Sequence, residues 1–387
     1  MIINTRREMA QHLEEVMSHA YEQLEDRQRL EANTSLVKTY LIEAHKLGQA
    51  DHVSVLRTVR SKFTQEILAT RSQLRVHETD DKMFFNVQIG VRDEAMFFYV
   101  DASNQRFWLI HTAAKSTSVD PLIQKLIQNS DEFDNAWLPI QLLARAAGLG
   151  ILRGLGLDYD RRAVPDVDFE RPTAPVEFLK MQLWGNRSQD ILRILSAREA
   201  FPDATTLSKV KVKYFLDQGD DDFCIADIKY DGKITGRGTS YQSYIGLVTN
   251  LYRDYARRIR DFEERFIISY ESAGENQFRF TGEPLNLVFS SPLENLQAFC
   301  EKLFSGSHPF RLMGVPVPTG PNSYRIAAID LHVGNRMNFE VFPTFMRVYL
   351  PPGSCGNSLV RIYTNLQHYY NSRVEALDGS QASAFET

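Results

Sequence analysis

The first proline in this sequence is Pro121, and the long stretch before it limits the structures that the chain can form. Residues 1–75 contain one glycine, Gly48, and their apolar residues recur in steps of three and four. That spacing lines one side of a helix with apolar side chains, and few helix breakers interrupt it. The pattern predicts three amphipathic helices, whose apolar positions are Met9, Leu13, Val16, Ala20 and Leu24, then Leu36, Val37, Tyr40, Leu41 and Ala44, then Leu56, Val59, Phe63 and Ile67.

From about residue 82 the pattern changes to one typical of β-strands. KMFFNVQIGV, AMFFYVD and RFWLIHT are rich in aromatic and β-branched residues and are separated by polar turns, which predicts an antiparallel meander. The second half has similar strands, among them SKVKVKYFLD, DFCIADIKY and YRIAAIDLHV, with helices between them. We therefore predict an α+β fold, with a helical region followed by mixed antiparallel sheets and packed helices in one or two lobes.

Composition shifts divide the chain into candidate domains. Closely spaced prolines predict a linker at 164–180, between α+β domains at 76–163 and 181–377. Residues 1–75 are interpreted as a helical bundle or an oligomerisation arm, and 378–387 as a flexible tail. SVDPLIQKLIQ and SSPLENLQAF resemble each other, and we interpret both as separate uses of proline at a helix start.

Composition and charge narrow the class of protein. Hydrophobic residues make up 43% and charged residues 24%, which is typical of a folded globular protein. The net charge of −5 provides no overall attraction to nucleic acid or anionic lipid, so nucleic-acid binding would need a local basic patch. The opening residues lack a continuous apolar run and no run of about 18 apolar residues occurs in the sequence, so neither a signal peptide nor a membrane-spanning helix is expected. The three scattered cysteines, Cys224, Cys300 and Cys355, favour a reducing cytoplasm.

Asp217, Asp227 and Lys229 form the first candidate site, at the end of one predicted strand and within the next. Strand alternation places Asp227 and Lys229 on the same face. The pattern resembles that of the PD-(D/E)XK nuclease superfamily. The resemblance implies two carboxylates that hold Mg²⁺ or Mn²⁺ and a lysine that stabilises phosphate charge. The structural alternative is a surface pair on a hairpin.

A second candidate is an anion-binding loop formed by Arg237, Gly238 and Thr239, which precede a long predicted helix. Backbone N–H groups at a helix N-terminus can hold a phosphate or carboxylate, and Arg237 would add a positive charge. The spacing matches neither the P-loop nor the dinucleotide-binding fingerprint. The structural alternative is a strand end followed by a helix cap at Thr239 or Ser240.

A third candidate is Cys355 in PPGSCGNS, at the start of a predicted helix, where the helix dipole favours a thiolate. GSCG resembles the nucleophile loop of chymotrypsin-like viral cysteine proteases. That resemblance implies His308 or His332 as the base and Asp330 as its orienting residue. The structural alternatives are a buried cysteine in a tight connection and a hydrogen-bonded histidine.

The function that these patterns favour is a non-enzymatic binding or regulatory component of a cytoplasmic, bacterial multi-protein assembly. Its partner would be another protein subunit, or a second copy, bound through the helices of residues 1–75. Nucleic acid is a further candidate partner, although the net charge gives it no support, and no membrane or cofactor is expected. The alternatives are a metal-dependent nuclease and a cysteine hydrolase.

Overall fold

The computed structural model describes residues 1–27, 36–67, 73–91, 94–160, 176, 178–185, 187–197, 204–216, 221–274 and 277–385. These residues form the predicted α+β fold, with large antiparallel sheets. The α-helices among them are α1 (Arg6–Arg27), α2 (His52–Ile67), α3 (Ser116–Gln128), α4 (Ile140–Ala147), α5 (Ser188–Ser196), α6 (Tyr241–Phe266), α7 (Leu296–Leu303) and α8 (Gly356–Tyr369). Within this part of the chain no helix has the length and apolarity that a membrane-spanning helix requires.

The strands cover most of the remaining chain. In order they are β1 (Val37–Glu43), β2 (Gln73–Glu78), β3 (Phe84–Val91), β4 (Glu94–Asp101), β5 (Phe107–Thr112), β6 (Asp134–Asn135), β7 (Ile151–Asp160), β8 (Phe178–Trp184), β9 (Leu207–Phe215) and β10 (Phe223–Lys229). They continue with β11 (Lys233–Gly238), β12 (Ser269–Gly274), β13 (Gln277–Thr281), β14 (Leu285–Val288), β15 (Leu312–Gly314), β16 (Val317–Gly320), β17 (Ser323–Asp330), β18 (Arg336–Val341), β19 (Phe345–Tyr349) and β20 (Glu375–Leu377).

The second of the three predicted N-terminal helices is wrong, because its residues form β1 and a short 3-10 turn at His45–Leu47. β1 pairs with β5 on one side and β11 on the other, and every one of its residues is buried. A strand that is covered on both faces reads as a continuous apolar run. Such a run is compatible with the apolar spacing of a helix as well as with a buried strand.

The first and third predicted helices are confirmed as α1 and α2. Asp51 caps α2, accepting a hydrogen bond from the Ser54 amide at 2.8 Å, as predicted. The apolar sides of both helices are buried, among them Met9, Leu13, Met17 and Ala20 of α1 and Val55, Val59 and Phe63 of α2. The described part of residues 1–75 therefore leaves no helical seam that another molecule would have to cover.

The chain divides into two compact units whose ranges interleave along the sequence. Unit 1 comprises 1–136, 146–152 and 211–254, and unit 2 comprises 137–145, 153–210 and 255–387. In unit 1 the strand order is β2-β3-β4-β5-β1-β11-β10-β9. Its main core lies between the β1–β5 part of this sheet and the helices α2 and α3, and contains Val59, Phe63, Phe98, Trp108 and Ile123.

Unit 2 contains a second antiparallel sheet, with strand order β15-β17-β18-β19-β14-β20. β7 pairs with β8, and β12 pairs with β13 as a separate hairpin. The predicted linker at 164–180 falls mostly outside the described residues, and β8 begins within it. The predicted flexible tail is packed instead, since Phe385 is buried and its ring stacks on Tyr363 with centroids 4.8 Å apart.

The two units repeat one topology. Unit 1 runs strand, helix, four-strand meander, helix, as β1, α2, β2–β5 and α3. Unit 2 runs β14, α7, a meander of β15, β17, β18 and β19, and then α8. In both sheets the last meander strand pairs antiparallel with the first strand. The resemblance between SVDPLIQKLIQ and SSPLENLQAF does not follow this repeat, because it joins α3 to the α7 region.

Candidate functional site

One face of the unit 1 sheet carries a cluster of cations. Alternate side chains of a strand point to the same face, and cross-strand partners share a face. The register pairs Arg237 with Ile225 and Thr235 with Asp227, and Thr235 is also paired with Lys38. We call this side the basic face, and its cations are Lys38, Lys211, Lys213, Lys229, Lys233 and Arg237.

A buried ion pair lies at the centre of the basic face. Lys211 Nζ is 3.3 Å from Asp227 Oδ1, and Lys211 is only 4% exposed. Lysine is rarely buried this deeply unless a carboxylate compensates its charge, because removing an ammonium from water costs several kcal/mol. Asp227 therefore neutralises one cation in the middle of the face.

Two more cations of the basic face pair with carboxylates at its margin. Lys229 Nζ lies 3.3 Å from Asp231 Oδ2. Lys233 Nζ donates to both oxygens of Asp120, at 2.7 and 2.5 Å, and the Tyr40 hydroxyl donates to the same carboxylate. Pairs at this degree of exposure stabilise the fold little, so their main effect is to hold the lysines in place.

Lys38 lies beneath the margin of the face, where it is 2% exposed. Its ammonium donates to the backbone carbonyls of Leu36 at 2.8 Å and of Ala114 at 2.7 Å. Burial lowers the pKa of Lys38 to about 8, and the nearby charge of Lys233 acts in the same direction. Lys38 thus contributes positive charge at neutral pH and loses it as the pH rises through about 8.

Arg237 and Lys213 have no carboxylate partner among the described residues. Arg237 Nε is buried and makes no hydrogen bond within that part of the chain. Lys213 Nζ instead lies 3.5 Å from the centroid of the Phe223 ring, a cation–π contact. A buried guanidinium N–H normally has an acceptor, and an oxygen of a phosphate or carboxylate would supply one here.

The predicted nuclease residues are only partly placed. Asp217 lies outside the described residues. Asp227 and Lys229 do share one face of β10, but the Asp227 carboxylate contacts Lys211 and Lys229 contacts Asp231. A divalent metal prefers several oxygen ligands, whereas Asp227, Asp231 and Asp120, the carboxylates described above for this face and its margin, each pair with a lysine.

In the predicted anion-binding loop, backbone N–H groups that could hold an anion donate to acceptors of the same chain. The Thr239 amide donates to the Phe223 carbonyl at 3.0 Å, and the Phe223 amide donates to Thr239 Oγ1 at 3.0 Å. At the start of α6 the Tyr241 amide donates to Glu14 Oε2 at 2.7 Å. The helix N-terminus therefore does bind a carboxylate, but α1 of the same chain supplies it. Only Arg237 of this loop belongs to the basic face, and Gly238 serves the strand end with a φ of 146°.

Three residues of the predicted cysteine hydrolase, Cys355, His332 and Asp330, are buried in unit 2, whereas His308 is exposed. Cys355 and His332 are both 0% exposed, which leaves no path for a substrate to the thiol. Asp330 does not orient a histidine base, because Arg361 Nη2 donates to its Oδ1 at 2.5 Å and the Ser358 hydroxyl donates to its Oδ2. Burial alone would raise the pKa of Asp330, but the charge of Arg361 lowers it below the ordinary value. This arrangement is structural support for α8.

Several cations of the basic face belong to no recognised motif, although the sequence carries a signal for them. In SKVKVKYF the lysines Lys209, Lys211 and Lys213 alternate with apolar residues, so they share one face of β9. Lys38 and Lys233 had no such signal. They come close only because β1 inserts beside β11, a pairing between segments far apart in sequence.

Comparisons with known proteins cover nearly the whole length of the chain. Residues 1–385 match the family of MJECL33-like proteins, and the chain belongs to this family. A relative from Methanocaldococcus jannaschii, named uncharacterized protein MJECL33, is 28% identical over 403 residues. The match covers 96% of this chain and 93% of the relative, so both sheet units fall within it. These names carry no ligand or reaction, and function is therefore argued from the basic face.

Proposed function

We propose that this protein is a non-enzymatic nucleic-acid-binding component, and that the basic face of unit 1 holds the phosphate backbone. The observation that carries the proposal is the grouping on one sheet face of six cations, three of which pair with carboxylates, in a chain whose net charge is −5. Nucleic-acid affinity arises mainly from lysine and arginine contacts with phosphates. A local basic patch meets that need without an overall positive charge.

The extent of the basic face favours a polyanion over a small anion. Its cations lie on the four adjacent strands β9, β10, β11 and β1. Neighbouring strands are about 4.8 Å apart, so the face spans about 14 Å, enough for several successive phosphates. Arg237, which has no carboxylate partner among the described residues, is the cation best suited to contact a phosphate oxygen. Elsewhere the chain is more acidic than its net charge suggests, which would confine a polyanion to this face.

Binding of a fluorescently labelled oligonucleotide tests the proposal. Anisotropy should report binding of single- or double-stranded DNA or RNA at low salt, with an affinity that falls steeply as salt rises. The double variant Lys229→Glu/Arg237→Gln should bind at least about tenfold more weakly, with a salt slope reduced by about 0.7 to 0.9 per lost contact. Arg336→Glu reverses a charge at an exposed position of β18, as Lys229→Glu does on the basic face, and should leave binding unchanged.

Two outcomes would overturn the proposal. One is the absence of binding to any of the four oligonucleotides at low salt, and the other is an equal loss in the Arg336→Glu control. The same samples with Mg²⁺ or Mn²⁺ examine the nuclease alternative. Cleavage that disappears in Asp227→Ala would replace the binding function with an enzymatic one.

A further inference from the structure

The hairpin formed by β12 and β13 is amphipathic. Among the described residues its strands pair only with each other. Alternation and register place Tyr270, Phe278 and Phe280 on one side, which we call the aromatic face. The opposite side is polar, where Glu271 lies across from Arg279. A strand pair with one apolar side and one polar side normally packs its apolar side against another surface.

The aromatic face is nevertheless open to solvent. Tyr270 is 68% exposed, Phe278 58% and Phe280 72%. Within the described residues these rings contact one another, with the centroid of Tyr270 5.8 Å from that of Phe278 and 6.3 Å from that of Phe280. An isolated two-stranded hairpin is marginally stable in water and needs a third strand or a packed surface. The described part of the chain therefore leaves this face uncovered.

The root of the hairpin is held firmly, so the aromatic face stands in a defined place. The Ile268 amide donates to the Leu350 carbonyl at 2.8 Å just before β12. Just after β13 the Glu283 amide donates to the Arg265 carbonyl at 3.1 Å, and the two side chains form an ion pair at 2.9 Å. Because the backbone at the root is fixed, binding through the aromatic side chains would cost little backbone entropy. Residues that dominate protein interfaces are held in place in the same way.

We infer that the aromatic face is covered by the aromatic face of a second copy of this chain. Residues 269–281 carry two acidic residues, Glu271 and Glu275, and one cation, Arg279, and this net charge of −1 disfavours a phosphate backbone or an anionic lipid as the partner. Two identical hairpins are complementary about a twofold axis, because both offer the same apolar side and unpaired strand edges. Such an isologous contact would complete a small two-layered sheet.

The available area predicts a weak dimer. Aromatic side chains bury about 150 to 250 Å² each, so three rings at these exposures leave roughly 300 to 500 Å² uncovered per copy. A face-to-face pair would bury roughly twice that, which approaches the lower limit of about 1,200 Å² for a specific interface. Contacts along the strand edges would supply the remainder. Dimerisation is therefore expected only at micromolar concentrations or above.

Sedimentation velocity over a wide concentration range tests this inference. The wild-type chain should pass from monomer to dimer as concentration rises, and Phe278→Ser/Phe280→Ser should raise the dissociation constant at least about tenfold. Val53→Ser and Ile194→Ser remove similarly exposed apolar side chains elsewhere and should leave dimerisation intact, since these residues are 59% and 57% exposed. A monomer at every concentration, a dimer that persists in the double variant, or an equal loss in the controls would each overturn it.

A covalent trap adds an independent measurement. The native cysteines are all buried, so an introduced thiol on the surface would be the accessible one. Ser272 lies on the aromatic face opposite Phe278, and Ser272→Cys should form a cross-linked dimer under mild oxidation. Thr117→Cys places a thiol at an exposed position of α3 and should not. Equal cross-linking of both variants would indicate random collision and would contradict the assignment.

Discussion

The two repeated topologies of this protein bury their sheets differently. In unit 1 the β1–β5 sheet has α2 and α3 on one face, and α1 contributes to covering the other, where the rings of His12 and Tyr99 are 6.2 Å apart. In unit 2 the outer face of β17 and β18 is open, with Arg325, Ala327 and Asn338 exposed. The same strand order therefore tolerates either one or two covered faces. Additional elements such as α1 decide which occurs.

The second helix of the repeat differs in the same way. In unit 1, α3 buries one apolar side that includes Val119, Ile123 and Leu126. In unit 2, α8 is buried along nearly its whole length and contains Ser358 and Arg361 among its buried residues. Buried polar groups must be paired, so α8 depends on specific partners whereas α3 depends on apolar packing. The comparison predicts that the two units fail under different perturbations.

The largest expected effect is the loss of the buried ion pair in unit 2. Asp330→Ala would leave Arg361 without its carboxylate and should destabilise unit 2 by about 3 to 5 kcal/mol. Urea unfolding, with hydrogen exchange to assign the loss to α8 and β17, measures it. Arg325→Ala breaks an exposed pair with Glu340 in the same sheet and should cost less than about 1 kcal/mol. Similar losses in both variants would refute the special role of Asp330.

Acid should weaken unit 1 through His111, which is 1% exposed on β5. Burial lowers the pKa of His111 to about 4, so the folded state keeps the ring neutral while the unfolded chain protonates it near its ordinary value of about 6.5. The stability contributed by the neutral ring is complete above about 6.5 and is lost as the pH falls toward about 4, a change of roughly 3 kcal/mol.

Urea unfolding between pH 7 and 4, with hydrogen exchange of β1 and β5, checks this dependence. His111→Gln should flatten the pH dependence of unit 1 in this window. His19→Gln changes an exposed histidine on α1 and should leave the slope as it is. An unchanged slope in His111→Gln would contradict the assignment to this residue.

A smaller effect concerns the capping of helix N-termini by glutamate side chains, of which each unit provides an example. The Tyr241 amide of α6 donates to Glu14, and the Gly356 amide of α8 donates to Glu263 Oε1 at 2.8 Å. Glu14→Ala should cost unit 1 about 1 kcal/mol, and Glu263→Ala should cost unit 2 a similar amount, because each exposes a helix N-terminus.

Thermal unfolding with local hydrogen exchange distinguishes the two losses. Glu15→Ala and Glu264→Ala change the adjacent exposed glutamates and serve as matched controls that should shift stability by less than half as much. If either control were as costly as its neighbour, general charge rather than capping would explain the effect.

The smallest effect is expected on the open face of unit 2. Ile329 on β17 is 44% exposed, and Ile329→Thr should change stability by no more than about 0.5 kcal/mol. Ile42 on β1 is 0% exposed, and Ile42→Thr should cost several times more because it buries a hydroxyl and leaves a cavity. Equal costs measured by urea unfolding would show that the two sheets are not covered differently.

Local patterns predicted those elements whose burial is one-sided. β17 alternates buried and exposed residues toward its end, and its strand was evident from YRIAAIDLHV. β1 is buried on both faces, so VKTYLIE showed no alternation and was interpreted as a helix. The candidate site was likewise predictable only in part from local patterns. The alternating lysines of β9 indicate part of the basic face, whereas the recognisable motifs of this sequence consist of carboxylates and loops.

By itself the sequence determined the α+β class, the amphipathic helices α1 and α2 and the antiparallel meanders, because these depend on the spacing of apolar residues over short distances. Only the tertiary structure decided that β1 lies between β5 and β11, that Glu14 occupies the N-terminus of α6, and that Lys38 and Lys233 join the face of Lys211 and Arg237. Each of these depends on pairing between distant segments, and local spacing carries no information about the partner of a strand.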